Sequence, residues 1–333
     1  MEKLVNPMNQ MKSNVASRWK YLAGLWVIVL VSTVFFFNYT GIPKKLVVVV
    51  GLLASAVIVL YGKNLAKNTF IIVVATGLLF SFITPVMDVP DETAHLSRTI
   101  YISEGHLGVS KDISTLNISD DYLEVVSRNG ATFRNDLKDL SHTDKKSNQS
   151  TAVALTSIYS VIGYLPQVLG WSFGKLFNLN LFWTFYLGRI FNVLAYAVLA
   201  YFSVKIAKQW KPFMAVLTTF PMVVYLAASY NQDGVANGII FLALAVFINM
   251  AAGEDKIRLK DVAIYLLLCM VIVTGKLPYV LIAGFLVFLE PRKFESKKIY
   301  ALMLGGVLAA AVFTLLWYGS ATGIDSFKPE GAN

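Results

Sequence analysis

Six apolar runs set the terms for this chain. Residues 20–37, 46–61, 69–86, 213–228, 235–252 and 300–318 carry almost no charge. A helix needs roughly 20 residues to cross about 30 Å of hydrocarbon, and slightly shorter cores also serve. Lipid offers no partner to a backbone amide, so such runs must close their hydrogen bonds internally, as helices. Composition agrees: 56% of the 333 residues are hydrophobic and 15% charged, with mean hydropathy +0.61. A soluble domain carries about a quarter charged residues. The expected fold is an all-α polytopic membrane protein with about 8–10 transmembrane or re-entrant helices and one large extracytoplasmic loop. The lone Cys269 lies in an apolar run, which excludes an intrachain disulfide or a cysteine-metal framework. The first run is too long for a signal-peptide core and no small-x-small cleavage site follows, so it reads as a retained span.

The formal charge of +9 is unevenly spread. Residues 87–150 hold 11 acidic and 7 basic residues, leaving 9 acidic and 22 basic elsewhere. Sixteen of those 22 fall in five short stretches, at 3–20, 63–67, 205–211, 256–260 and 292–298. Short basic loops stay in the cytoplasm, so this charge marks orientation and is no nucleic-acid footprint. The boundaries that follow are a cytoplasmic amino terminus (1–19), three spans (20–86), an extracytoplasmic loop with an acidic motif (87–150), further spans (182–318) and an extracytoplasmic tail (319–333). Residues 151–181 are interrupted by Gly163, Pro166 and Gly170. They either cross or lie as an interfacial or re-entrant segment; crossing would put the 205–211 cluster outside, against the charge rule. Residues 263–289 are broken by "TGKLPY" (274–279) and fit a tapered hairpin.

In this topology three polar motifs reach one external face: "MDVPDETAHLSR" (87–98), "SYNQDG" (229–234) and "TGKLPY". Asp88, Asp91, Glu92 and His95 are spaced i, i+3, i+4, i+7, which on a helix is one face, with Arg98 close by. Pro90 suits a first turn and Asp88 can cap it, so helix capping alone explains the acids. The functional reading makes a carboxylate here the base toward a substrate hydroxyl, or a ligand of a divalent cation. Asn231 and Asp233 are either a polar turn or contacts to substrate. Arg189 and Lys276, with Tyr279 beside the latter, are expected to pair with acid or phosphate, since charge at membrane depth is costly. His106 and His142 lack ligand spacing and read as solvent residues, and the sequons at Asn38, Asn117 and Asn148 carry meaning only in a glycosylating host. No phosphate-cradling glycine loop, H-E-x-x-H or G-x-S-x-G is present, so ATP-driven transport and serine hydrolysis have no local support.

"VPDETAHLSRTIYISEG" resembles the P-x-D-E-x-x-H-x-x-R-type signature of domain-of-unknown-function family 2142, a set of bacterial polytopic membrane proteins. "YLPQVLGWSFGKLF", "LGRIFNVLAYAVLAYF", "AASYNQDGVANGIIFLALA" and "TGKLPYVLIAGFLVFLEPRKF" resemble stretches that recur there in the same order. The resemblance covers residues 69–318, with one departure: Pro90 abuts Asp91. That family is similar in layout to membrane-embedded glycosyltransferases of the GT-C class. The resemblance implies a bacterial plasma-membrane enzyme that transfers sugar from a polyprenyl-phosphate donor to a glycan or lipid acceptor outside the cell. Asp91 or Glu92 would be the base, with Arg189 and Lys276 on the leaving phosphate. Asn231 and Asp233 would hold sugar hydroxyls, and His95 and Arg98 would orient the carboxylates. Family members carry further spans and a distal external domain, so this chain is a truncated copy or the remaining spans are dispensable. A flippase for lipid-linked glycans, or a non-catalytic assembly partner, is the rival expectation.

Overall fold

The computed structural model describes residues 7–36, 44–110, 112–131 and 140–321. The Asn38 sequon, residues 1–6 and nearly all of the 319–333 tail lie outside these. The described chain is helical almost throughout. The amino-terminal helices are α1 (Pro7–Val31), which runs on as a π turn through Ser32–Phe36, α2 (Lys44–Leu60) and α3 (Leu65–Ile83). The polar segment that follows holds α4 (Glu92–Ser103), α5 (Asp121–Val126) and α6 (Ser150–Ala154). Next come α7 (Leu165–Leu176), α8 (Leu181–Ile206), α9 (Lys211–Thr218), α10 (Pro221–Ala227) and α11 (Asp233–Ala252). The last helices are α12 (Leu259–Val273), α13 (Val280–Gly284) and α14 (Lys297–Ala321). Among the described residues five helices are long and apolar enough to cross a membrane: Met11–Val34, Leu65–Ile83, Leu181–Ile206, Asp233–Ala252 and Lys297–Gly319.

Two apolar runs depart from a simple span. Residues 213–228 divide into α9 and α10 because Pro221 cannot donate a helical hydrogen bond and holds Phe220 extended, at φ −60° and ψ 128°. Residues 263–289 end their helix at Val273, and short 3-10 and α turns follow the "TGKLPY" break. α7 has 12 residues, about 18 Å at 1.5 Å per residue, well short of the hydrocarbon thickness.

α8 is the central post, packed by α3, α7 and α11. Missing side chains permit that closeness. A Cβ at Gly170 on α7 would meet the Leu187 carbonyl oxygen at 2.4 Å, and one at Gly188 on α8 would meet the Tyr230 hydroxyl at 2.0 Å. At one end of the bundle the basic loops gather. Lys208 pairs with Asp255 at 2.9 Å, Lys256 donates to the Arg292 carbonyl, and Lys293 donates to the Ala251 carbonyl. A single parallel bridge, Ile257 to Phe294, ties two of these loops.

At the other end the segment that holds α4, α5 and α6 packs on α7 and α8 through Leu96, Ile100, Ile118, Val125, Trp171 and Phe185. It includes a two-stranded antiparallel ribbon, β1 (Asn117–Ser119) with β2 (Lys146–Asn148), in register Ile118 to Ser147. The end of α14 is fastened here too: the Trp317 indole donates to the Ile158 carbonyl at 3.0 Å and the Tyr318 hydroxyl to the Val273 carbonyl at 3.2 Å.

Gly170→Ala is expected to drive α7 from α8 at a cost of about 1–3 kcal/mol, seen as a lower Tm of the detergent-solubilised protein. Gly305→Ala, where nothing lies within 4 Å of the new Cβ, is the control and should leave Tm unchanged or slightly higher.

Candidate functional site

α3 ends at Thr84, and the chain then turns sharply, with positive φ at both Met87 and Asp91 (61° each). Asp tolerates this left-handed geometry better than most residues, yet it still stores strain. The consequence is a change of face. α4 starts only at Glu92, so Asp88 and Asp91 do not continue the helical stripe that their spacing suggests. Asp88 is exposed and lies near Tyr225. Asp91 is exposed at the helix cap, makes no side-chain capping bond, and lies near His95. Glu92 points the opposite way, into the protein, at 1% exposure.

Glu92 meets Arg189. The guanidinium Nε donates to Oε1 at 2.9 Å and Nη2 to Oε2 at 2.6 Å, a side-on pair with both side chains fully buried. The remaining Arg189 donors reach the carbonyls of Ser81, Thr84 and Pro85 at 2.9–3.0 Å. Those of Ser81 and Thr84 are left open by the end of α3, at the negative pole of its dipole, and that of Pro85 lies just beyond it. Glu92 accepts two more bonds, from the Met87 and Tyr230 amides at 3.1 and 3.0 Å. All five donors of the arginine and the four acceptor positions of the carboxylate are engaged. Both groups are thus fully engaged within the protein, Glu92 by Arg189 and two amides, Arg189 by Glu92 and three carbonyls.

The strap before α11 is held by residues that motif reading passes over. The Asn192 amide donates to the Ser229 and Asn231 carbonyls at 3.0 and 3.1 Å. Gln167 donates to the Asn231 carbonyl at 2.9 Å and accepts from Thr99 at 3.2 Å. The Tyr230 hydroxyl donates to the Phe185 carbonyl at 2.9 Å, its ring lying where Gly188 has no side chain. Polar side chains inside apolar runs, as at Gln167 and Asn192, were the signal available for finding them. The side chain of Asn231 accepts from the Asp233 amide at 2.8 Å, so it shapes the turn.

Asp233 then faces Lys276, Oδ2 to Nζ 2.7 Å, and takes a second bond from Gln232 at 2.7 Å. His95 lies close to Asp233, Asp91 and Lys276. Its Nδ1 is 2.7 Å from the Tyr164 hydroxyl and its ring stacks near Tyr159, 6.0 Å between centroids. Tyr279 completes the cluster beside Asp233 and Lys276. Burial lowers the His95 pKa to about 4, against the opposing pull of Asp233 and Asp91. Asp91, His95, Asp233, Lys276 and Tyr279 are thus brought together, while Asp88, Glu92, Arg189 and Asn231 are not part of that cluster. Among the described residues no three His, Cys, Asp or Glu side chains converge as a metal site.

Beside the cluster a small groove of about 20 Å³, room for little more than one water, lies between α11 and α12. Gln232, Gly275 and Ser160 edge it, and Val235, Ile239 and Ile272 are among its apolar walls.

The family model for a predicted membrane protein (DUF2142) matches residues 74–330. The chain belongs to this family. No curated protein and no solved structure matches it. In this DUF2142 chain the matched range takes in every residue of the cluster.

His142 is no solvent residue. Its Nδ1 is 2.6 Å from buried Asp121 and its Nε2 3.0 Å from the Thr184 hydroxyl. The order acid, imidazole, hydroxyl is that of a nucleophile relay, but Thr184 is fully buried and donates to the Asn180 carbonyl. The contact joins the segment between α3 and α7 to α8. Burial opposes the charge on Asp121, but bonds from His142 and the Thr143 amide outweigh it and hold the carboxyl below its usual range. His106 stacks on Tyr101 at 4.5 Å.

Two outcomes are expected. Glu92→Gln or Arg189→Met leaves one buried charge unmatched and costs about 3–5 kcal/mol, whereas the double variant loses less than the sum, read from Tm. Because His95 is neutral when folded and protonates more readily when unfolded, the unfolded state holds the extra proton between about pH 4 and pH 6.5. Stability therefore falls as pH drops through that window, by roughly 2–3 kcal/mol from this residue. His95→Gln should flatten that part of the Tm profile.

Proposed function

We propose that this protein is a membrane glycosyltransferase taking sugar from a polyprenyl-phosphate donor and passing it to an envelope glycan or lipid at the outer face of a bacterial plasma membrane. The observation that carries the reading is the placement of the Asp91, His95, Asp233 and Lys276 cluster where the apolar helix α11 begins and the apolar helix α12 ends. An amphiphile with a charged head and a hydrocarbon tail matches both halves. The basic loops at the opposite end of the bundle support an orientation with the cluster outside and the amino terminus in the cytoplasm.

Asp91 is the base. Of the two carboxylates that the motif offers, Glu92 is committed to Arg189, whereas Asp91 is exposed, strained and uncapped. It takes the proton of the acceptor hydroxyl as that oxygen bonds to the anomeric carbon. The bond from that carbon to the phosphate oxygen breaks, and the phosphate leaves with the electron pair. Lys276 stabilises the charge that develops, and Asp233 shifts from the lysine to the sugar hydroxyls.

The test is transfer by reconstituted protein from a panel of polyprenyl-phosphate sugars. Asp91→Asn is expected to lower turnover by about 10²–10⁴-fold while donor binding persists. Lys276→Met should weaken both. A wild type that binds donors yet transfers none of them would sink the enzyme reading and favour carriage of lipid-linked glycans.

A further inference from the structure

Arg98 is the mirror image of Arg189: as deeply placed, and incomplete. It lies on α4 at 2% exposure. Its Nη2 donates to the Leu107 carbonyl at 3.1 Å, while Nε and Nη1 have no partner among the described residues. The titratable groups beside it are the neutral phenols of Tyr164 and Tyr101, and the Tyr101 ring lies 5.7 Å from the guanidinium carbon. No carboxylate among the described residues pairs with it. Burial accordingly lowers its pKa. A guanidinium withdrawn from water is stable only when an anion and hydrogen bonds replace its hydration. Here neither does.

We propose that Arg98 is an anion-binding site for a phosphate or diphosphate group, and that the Leu107 carbonyl holds the place of one of its oxygens. The vacant donors lie on two edges of the guanidinium fork, more than one carboxylate fills, so a group with several oxygens fits best. The covering loop is lightly held. Gly105, His106, Leu107 and Gly108 are exposed, Gly105 has φ 95°, and nothing lies within 4 Å of a Cβ at either glycine. The site also adjoins the cluster: the Tyr164 hydroxyl sits between Arg98 and His95. For the source of the phosphate, a prenyl lipid, the inference rests on the transfer reading; the anion site itself does not.

The experiment is a binding titration without turnover. Protein in dodecyl maltoside, with no phospholipid added, is titrated with inorganic phosphate, diphosphate, farnesyl phosphate and farnesol, following Tm by tryptophan fluorescence. Farnesyl phosphate is expected to raise Tm, farnesol to leave it unchanged, and Arg98→Gln to weaken the apparent Kd at least about 10-fold. A response to farnesyl phosphate alone names a lipid head group, and an equal response to inorganic phosphate names a free anion; both support the site. Wild-type Tm unmoved by every phosphate, or Arg98→Gln responding as wild type does, overturns it. Where Arg98→Gln does not fold, Arg98→Lys decides, since it keeps the charge but loses the fork: weaker binding supports the site and unchanged affinity overturns it. Loss of transfer in Asp91→Asn alongside unchanged phosphate binding in Arg98→Lys would sink the anion site and leave the transfer reading standing.

Discussion

The Glu92–Arg189 pair is the constraint from which the polar end of the bundle follows. Two opposite charges stay buried only when every donor and acceptor is matched, and here every one is. Meeting that condition draws together four stretches far apart in the chain: the last turn of α3, the turn at Met87, the middle of α8 and the amide of Tyr230. The strap that carries Asp233 is therefore placed by the same charges that fix the start of α4. The distance between Asp91 and Asp233 is set through this pair.

A division of labour results. Charges that are satisfied by protein hold the frame, and those that are part-exposed or incompletely matched border the groove. Lys276 and Asp233 answer one another at 2.7 Å but stay partly open to solvent. His95 is kept neutral between them and Tyr164, so it can pass or accept a hydrogen bond without adding charge. The apolar walls beneath begin within a few residues of these groups, at Val235 and Ile272.

Much of the fold was legible in the apolar runs, because lipid leaves a backbone few alternatives. The division of residues 213–228 was legible as well, in Pro221, but the apolar side chains on either side of that proline read as one continuous span. The candidate site was legible only as a set of motifs. Glu92 and Asp91 are neighbours with opposite fates, and what separates them is a left-handed backbone at Asp91 that no periodicity encodes. Arg189 announced itself as a costly charge, but its partner lies 97 residues away. His142 looked idle because Asp121 and Thr184, which give it meaning, come from a loop and a span that only the folded chain brings together.

The fastening of α14 has a mechanical consequence. Its last turns are bonded on one side to Ile158, next to Tyr159 and Ser160, and on the other to Val273, next to Thr274 and Gly275. Those are the two rims of the groove. A tilt of this one helix would therefore be passed to both rims at once. A displacement of those rims would be felt at the basic loop where α14 begins, at the far end of a helix 25 residues long.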